Sequence, residues 1–225
     1  MISTVRTLLA KELLLERRAP TVVPAMLLFS VSTFVVFHFA LQRGSVEGEL
    51  AAGVLCVTLL FAAILGAARL FVIDEEEGGF DAFLLAPVDR TAMLIAKALT
   101  FLTFLVAVEL IAVPAFTILL LGPTLGAGEI VRLAGVLALA DIGIVVIGTL
   151  VAGLAVRTRA RDLIVPLIAL PLLVPVVIGT ARSITPLLLS GPAQAVPGRW
   201  LGVLGLYDLV FALVAFAVFD YLLDD

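Results

Sequence analysis

Long apolar runs alternate with short polar connections along the chain, and six of the runs are long enough to cross a bilayer. A helix needs about 20 apolar residues to span the hydrocarbon core. The predicted spans are Thr21–Leu41, Leu50–Phe71, Thr91–Leu121, Ile130–Val156, Leu163–Arg182 and Trp200–Leu223. None of the runs alternates apolar and polar residues, which disfavours a transmembrane strand barrel. The pattern therefore predicts an all-α, polytopic membrane protein with six transmembrane helices.

The connections between the predicted spans are short, which predicts a single transmembrane domain over residues 1–225. A stretch of mixed charge precedes the first span, and its apolar positions repeat at helical spacing. This spacing favours an amphipathic N-terminal helix over Ser3–Arg18 that lies along the membrane interface, in contact with lipid. A shorter soluble helix is the alternative.

The composition agrees with a membrane protein and excludes several other classes. Hydrophobic residues make up 63% of the 225 residues and charged residues 14%, whereas soluble domains have about 25% charged residues. The net charge of −4 argues against a nucleic-acid partner, because phosphate binding needs clustered Lys and Arg. One cysteine, Cys56, cannot form an internal disulfide, and one histidine, His38, excludes a His-rich metal site.

The distribution of Lys and Arg predicts the orientation, because cytoplasmic loops carry an excess of these residues. With six spans, the N-terminus shares one side with the second and fourth connections. That side carries Arg6, Lys11, Arg17, Arg18, Arg69, Arg90, Arg157, Arg159 and Arg161. The other side carries Arg43, Arg132, Arg182 and Arg199. Both termini are therefore predicted to be cytoplasmic.

The longest predicted cytoplasmic connection, Arg69–Arg90, has an unusual order of residues. Four consecutive acids, Asp74–Glu77, precede a glycine pair that permits a sharp turn. Phe80, Phe83 and Leu84 then follow at the spacing of one helix face, and Pro87 ends that short helix. A solvated acidic loop is one interpretation. A docking site for a cytosolic protein explains the acids and phenylalanines better, because an anionic leaflet attracts basic segments instead.

No phosphate-binding loop of the G-x-x-x-x-G-K-[ST] type occurs in the chain. The two lysines, Lys11 and Lys97, lack the preceding glycines. If the protein uses ATP, the nucleotide therefore has to bind to a partner chain.

Three acidic residues, Glu109, Asp141 and Asp208, fall inside or near predicted spans. An ionisable group at membrane depth costs several kcal/mol unless it is paired or hydrated. These acids could line a polar path, form structural hydrogen bonds between helices, or bind a partner membrane subunit. Arg132 is nine residues from Asp141 on the same predicted helix, so it cannot pair with that carboxyl group.

Two further features of the spans have alternative interpretations. His38, towards the outer end of the first span, is a candidate axial haem ligand or an ordinary interfacial residue. Pro166, Pro171 and Pro175 predict a kinked fifth span, which is either a moving element or a static bend.

Two of these motifs carry a resemblance to a known family. The run RLFxxDxxxGxFxxFLLxP resembles the cytoplasmic loop of the haem exporter protein B family, CcmB. The matching positions are Arg69, Leu70, Phe71, Asp74, Gly78, Phe80, Leu85 and Pro87. In the fifth span, Leu170–Pro171–Leu172 with Pro175 and Ile178 is similar to the family's LPLxxPxxI pattern.

This resemblance implies an ABC-2-type permease-like subunit of a complex in cytochrome c maturation, located in the inner membrane. It implies three kinds of partner: a cytosolic ABC ATPase that binds ATP, a haem-handling membrane protein and a small membrane peptide. A second copy of the chain is also expected, because an ABC unit has two membrane halves. Haem is then a ligand that the complex handles, and ATP hydrolysis drives haem delivery or release of a haem chaperone. No catalytic residue is expected in this chain.

The resemblance also implies that the loop at 69–90 couples the chain to the ATPase. The residues expected to make this coupling are Arg69, Phe71, Asp74, Gly78, Phe80, Phe83, Leu84 and Pro87.

Two other classes of function compete with this interpretation. An ABC permease for another substrate, such as a lipid or a drug, would share the same architecture, since fold does not fix function. An intramembrane protease would need a Ser–His pair at membrane depth or two facing aspartates, for which Asp141 and Asp208 are the candidates.

Overall fold

The structure is a computed structural model that describes residues 2–41, 44–71, 90–155, 158, 160–191 and 194–222. Seven α-helices follow one another in these ranges. They are α1 (Ile2–Arg18), α2 (Val22–Ala40), α3 (Gly48–Arg69), α4 (Arg90–Leu119), α5 (Ala127–Ala155), α6 (Arg161–Ile184) and α7 (Gly198–Leu222). A short 3₁₀ helix, Thr185–Leu188, continues α6.

Helices α2 to α7 are each long and apolar enough to cross a membrane. Their bounds agree with the six spans expected from the apolar runs to within three residues at every end, and the prediction of a polytopic all-α membrane protein is confirmed. Helices α4 and α5 have 30 and 29 residues, so each is about 45 Å long and exceeds the hydrocarbon thickness of about 30 Å.

The most buried helices, α3 and α5, form the centre of the bundle. Helix α3 packs against α2 and α6, while α5 packs against α6 and α7, and α4 closes the side between α2 and α5. Phe101 of α4 is fully buried between two glycines, Gly66 of α3 and Gly148 of α5. A methyl group at either glycine would lie within about 3 Å of the ring, so these positions permit three helices to approach closely.

The N-terminal helix α1 packs on the first turns of α4. None of its described residues is fully buried, as expected for an amphipathic helix with one face on the bundle. The Glu16 carboxylate accepts hydrogen bonds from the backbone N–H groups of Thr21, Val22 and Val23, at 3.2, 3.0 and 2.9 Å. These N–H groups lie at the start of α2, where helical partners are lacking. Glu16 therefore fixes α1 to the first transmembrane helix.

On the opposite side of the bundle, the connections are fastened to one another. Val46 donates its N–H to the Leu120 carbonyl at 2.7 Å and accepts from the Gly122 N–H at 3.0 Å. Glu47 accepts hydrogen bonds from the backbone N–H and the hydroxyl of Ser190. These bonds join the α2–α3, α4–α5 and α6–α7 connections.

Candidate functional site

Two of the three membrane acids come together between neighbouring helices. Glu109 of α4 and Asp141 of α5 line the same cavity. Asp141 is only 1% exposed, and its Oδ2 atom has no hydrogen-bond partner among the described residues. An unpartnered buried carboxyl oxygen is costly at membrane depth. Such a group favours a basic partner, but the ionisable side chain that shares the cavity with Asp141 is the carboxyl group of Glu109.

The cavity is a groove of about 690 Å³ between α4 and α5. It extends from the connection at Gly122 and Pro123 down to Glu109 and Asp141, a depth of about 18 Å at 1.5 Å per helical residue. Its walls are almost entirely apolar. Ile118, which lines the groove, is 83% exposed, so the groove opens sideways towards lipid.

A second, much smaller cavity lies on the inner side of the same two acids. It has a volume of about 20 Å³ and is lined by residues of α3, α5 and α6, including Cys56 and Thr180. That volume accommodates about one water molecule. Glu109 and Asp141 therefore separate the lipid-facing groove from the interior of the bundle.

Asp208 of α7 lies apart from this pair. It is buried, both of its carboxyl oxygens lack a hydrogen-bond partner among the described residues, and it packs against Gly143 of α5. Residues two apart on an α-helix point about 200° away from each other, so Asp141 and Gly143 face opposite directions. Asp208 lines neither cavity at Asp141. The structure thus does not form the facing aspartate pair that an intramembrane aspartyl protease needs.

A buried lysine lies where three helices meet, on the side of the bundle that carries the N-terminal helix α1. Lys97 of α4 is 4% exposed, and its Nζ atom lies 2.9 Å from Glu12 Oε1 of α1. The same ammonium group donates to the Leu70 carbonyl at 3.0 Å and lies 5.2 Å from the centre of the Phe71 ring. Leu70 and Phe71 are the last described residues before segment 72–89. Lys97 therefore links the start of the predicted coupling loop, and the helix that follows the loop, to α1.

In the sequence, Lys97 is notable only as a lysine that lacks the preceding glycines of a phosphate-binding loop. The available signal was its position, seven residues into α4, in a chain with two lysines. A lysine this deep in an apolar run needs a specific partner.

Two of the predicted coupling residues fall within the described ranges. Arg69 is exposed at the end of α3, whereas Phe71 is buried beneath Lys97. The remaining predicted residues, Asp74, Gly78, Phe80, Phe83, Leu84 and Pro87, lie outside the described residues.

His38 lies near the end of α2, where its Nδ1 atom is 2.6 Å from the Leu119 carbonyl. A carbonyl oxygen only accepts, so this hydrogen bond requires Nδ1 to carry the proton. The ring also packs edge-on against Phe39. His38 therefore links the ends of α2 and α4, and its Nε2 atom is left to accept a hydrogen bond or to bind a metal.

The three prolines of the fifth span, Pro166, Pro171 and Pro175, all lie inside the continuous helix α6. The Tyr207 hydroxyl of α7 donates to the Leu172 carbonyl at 2.7 Å, next to Pro171. This hydrogen bond joins α6 to α7 within the proline-containing part of α6.

Comparison with known proteins extends over nearly all of these elements. A model of the family described as CcmB protein matches residues 3–222. The chain belongs to the CcmB family. The match includes α1, the six spans and the segment between α3 and α4, and it confirms the family suggested by the loop and proline motifs.

A curated member of the CcmB family is similar over most of its length. Heme exporter protein B of Rhodobacter capsulatus is 31% identical to this chain over 180 residues. The aligned region covers 80% of this chain and 81% of the relative. The similarity therefore extends over most of both chains.

Proposed function

We propose that this chain is the membrane permease subunit of an ABC-type complex in cytochrome c maturation, with haem as the molecule the complex handles. The observation that carries the proposal is the match to the CcmB family over residues 3–222, together with a relative named as a heme exporter protein. The all-helical bundle of six spans fits an ABC-2-type permease domain extending over residues 1–225.

The energy source belongs to a separate cytosolic ATPase subunit in this proposal. The sequence contains no phosphate-binding loop, so this chain needs a partner to bind and hydrolyse ATP. The loop at 69–90 is the proposed docking element, because it combines an acidic run with phenylalanines at helical spacing. The chain itself has no catalytic role.

Lys97 provides a physical route from that loop into the bundle. It contacts Leu70 and Phe71, which precede the loop, and it belongs to the helix that follows it. Its ion pair with Glu12 adds α1 to the same unit. Movement of the loop by an ATPase would therefore shift the ends of α1, α3 and α4 together, while the fastened connections hold the opposite side.

The remaining partners follow from the same proposal. They are a haem-handling membrane protein, a small membrane peptide and a second copy of this chain, all in the inner membrane. The N-terminus and the coupling loop share one side of the bundle, since α1 packs on the start of α4. That side has most of the Lys and Arg residues, which favours a cytoplasmic location for both termini.

His38 remains a candidate haem ligand within this proposal. Its protonated Nδ1 is held by the Leu119 carbonyl, an arrangement often found for the second nitrogen of a metal-binding histidine. The test is the haem content of the purified complex. A His38→Ala variant with unchanged haem content would eliminate ligation and leave the link between α2 and α4 as the role of this residue.

Deletion of the gene that encodes this chain, in its native host, tests the proposed function. Covalent haem in c-type cytochromes should disappear, whereas b-type cytochromes, which bind haem without a covalent link, should remain at normal levels. Expression of the wild-type chain should restore the c-type cytochromes. Normal covalent haem in the deletion strain would overturn the proposal and favour a permease for another substrate.

A further inference from the structure

We propose that the groove between α4 and α5 binds an amphipathic molecule with an elongated apolar body and a cationic or hydrogen-bond-donating head group. The ligand enters from the lipid and places its head group between Glu109 and Asp141. This site goes beyond the function proposed above, and it does not depend on whether haem is the transported molecule.

The residues at the deep end of the groove determine which head group the site can bind. Asp141 is almost completely buried there, and its Oδ2 atom lacks a partner among the described residues. Glu109 contributes a second carboxyl group to the same cavity. A carboxyl oxygen in an apolar setting is stabilised by a donor, and most strongly by a charged one. An ammonium or similar group satisfies this requirement.

The same acids disfavour an anionic head group. The two carboxyl groups already place four oxygen atoms at the deep end of the groove, so a ligand carboxylate would add acceptors where donors are needed, and either group in its ionised form would repel it. The edge of haem that carries two carboxylates would meet this repulsion as well. The deep end of the groove is therefore assigned to a different kind of polar group.

The walls and the opening of the groove indicate that the body of the ligand is apolar. Its volume of about 690 Å³ lies within the range of small-molecule sites. Leu110 and Ile118, two of its lining residues, are 70% and 83% exposed, so an apolar molecule can enter sideways from the bilayer. The depth of about 18 Å suits an extended chain that reaches from the surface to the acids.

The buried carboxyl groups favour a small molecule over a helix of a partner protein. The Asp141 Oδ2 atom needs a donor at the deep end of the groove, whereas the backbone N–H groups of a helix are already bonded within the helix. A partner helix would therefore supply a donor only through a side chain at that depth, and the test below distinguishes the two occupants.

Photo-cross-linking of the full chain in lipid nanodiscs tests the proposal. Three probes with the same twelve-carbon chain and a diazirine group would differ only in the head group, which is an amine, an alcohol or a carboxylate. Mass spectrometry would locate the labelled residues. The amine should label the groove-lining parts of α4 and α5 about tenfold more than the carboxylate, with the alcohol between them.

Isosteric substitutions provide the matched comparison. Glu109→Gln combined with Asp141→Asn should lower amine labelling of the groove about tenfold. Asp208→Asn removes an equally buried acid outside the groove, and it should leave labelling unchanged. Thermal unfolding would check that each variant folds, and the comparison of the three probes uses only the wild-type chain.

Two results would overturn the proposal. One is equal labelling of the groove by all three probes in the wild-type chain. The other would come from a photoreactive amino acid placed at Ile118 and activated in native membranes. This result is cross-linking to a helix of another protein, at a yield that addition of the amine probe does not reduce. That second result would assign the groove to a partner subunit.

Discussion

Lys97 and Glu12 form an ion pair of 2.9 Å between the transmembrane helix α4 and the N-terminal helix α1. Lys97 is buried, and it also binds the carbonyl of Leu70 at the end of α3. One ammonium group therefore connects three helices next to the proposed ATPase-docking loop. The amphipathic α1 is part of the same mechanical unit as the transmembrane helices.

Replacement of Lys97 with Met should destabilise the protein strongly. The substitution keeps an apolar side chain of similar length but removes the close ion pair with Glu12 and the hydrogen bond to the Leu70 carbonyl. Removal of one partner from a buried ion pair costs about 3–5 kcal/mol. Denaturant unfolding in detergent would measure the change in unfolding free energy.

Lys11→Met is the control for this substitution. Lys11 lies 3.8 Å from the same Glu12 carboxylate, but its side chain is 45% exposed. An exposed pair contributes about 0–1 kcal/mol, so the control should change stability little. Equal effects of the two substitutions would contradict a specific role of the buried lysine.

Loss of the Glu16 carboxylate should loosen the junction between α1 and α2. Glu16→Ala removes the acceptor for three N–H groups at the start of α2, and such caps contribute about 0.5–2 kcal/mol. Hydrogen exchange of the amides of residues 21–23 should become faster. Glu16→Gln retains an acceptor oxygen and should show a smaller increase, whereas equal exchange in all three proteins would refute the capping role.

Gly143→Ala should destabilise the contact between α5 and α7. A methyl group at Gly143 would overlap the Asp208 carboxylate and crowd Val176, and overpacking of this kind costs about 1–3 kcal/mol. Gly135→Ala, in the same helix, is the control, because no atom lies within 4 Å of the added methyl group. Thermal unfolding should distinguish the two variants, and equal midpoints would argue against tight packing at Gly143.

The hydrogen bonds from Ser190 should make the stability of the α2–α3 connection depend on pH. These bonds lower the pKa of Glu47 from its ordinary value of 4.5, although slight desolvation opposes the shift. A lowered pKa means that the ionised carboxylate stabilises the folded state above pH 4.5, and that this contribution is lost as the pH falls through the folded pKa. The stability difference between the wild type and Glu47→Gln should therefore shrink below pH 4.5.

A Ser190→Ala background provides the control for this pH effect. Without the serine hydroxyl, Glu47→Gln should have a smaller effect on thermal stability at neutral pH. A difference between the wild type and Glu47→Gln that stays constant from neutral pH to below pH 4 would contradict the prediction.

The spans could be predicted from the sequence because each one is a long apolar run, and bilayer thickness sets the length that such a run needs. The resemblance of the loop and proline motifs also identified the family, since these motifs fix glycine, proline and charge at particular spacings. The same sequence indicated that Glu109, Asp141 and Asp208 are unusual at membrane depth.

The arrangement of these acids could not be predicted, because it depends on which helices become neighbours. The pairing of Glu109 with Asp141 requires the packing of α4 on α5, and the separation of Asp208 depends on its contact with Gly143. The groove has the same origin, since its walls come from two helices and the connection between them. The role of Lys97 could not be predicted because its three partners, Glu12, Leu70 and Phe71, precede it by 85, 27 and 26 residues.

Affinity purification of the full chain from its native membrane, followed by mass spectrometry of the associated proteins, tests the central claim most directly. The wild type should bring down a soluble ABC ATPase, and an Asp81→Asn control in the same loop should do the same. The loop variant with Gly78→Asp and Phe80→Asp should lose the ATPase while remaining folded in the membrane. Absence of an ATPase from the wild-type preparation, or its normal recovery with the loop variant, would contradict a permease subunit coupled to its ATPase through this loop.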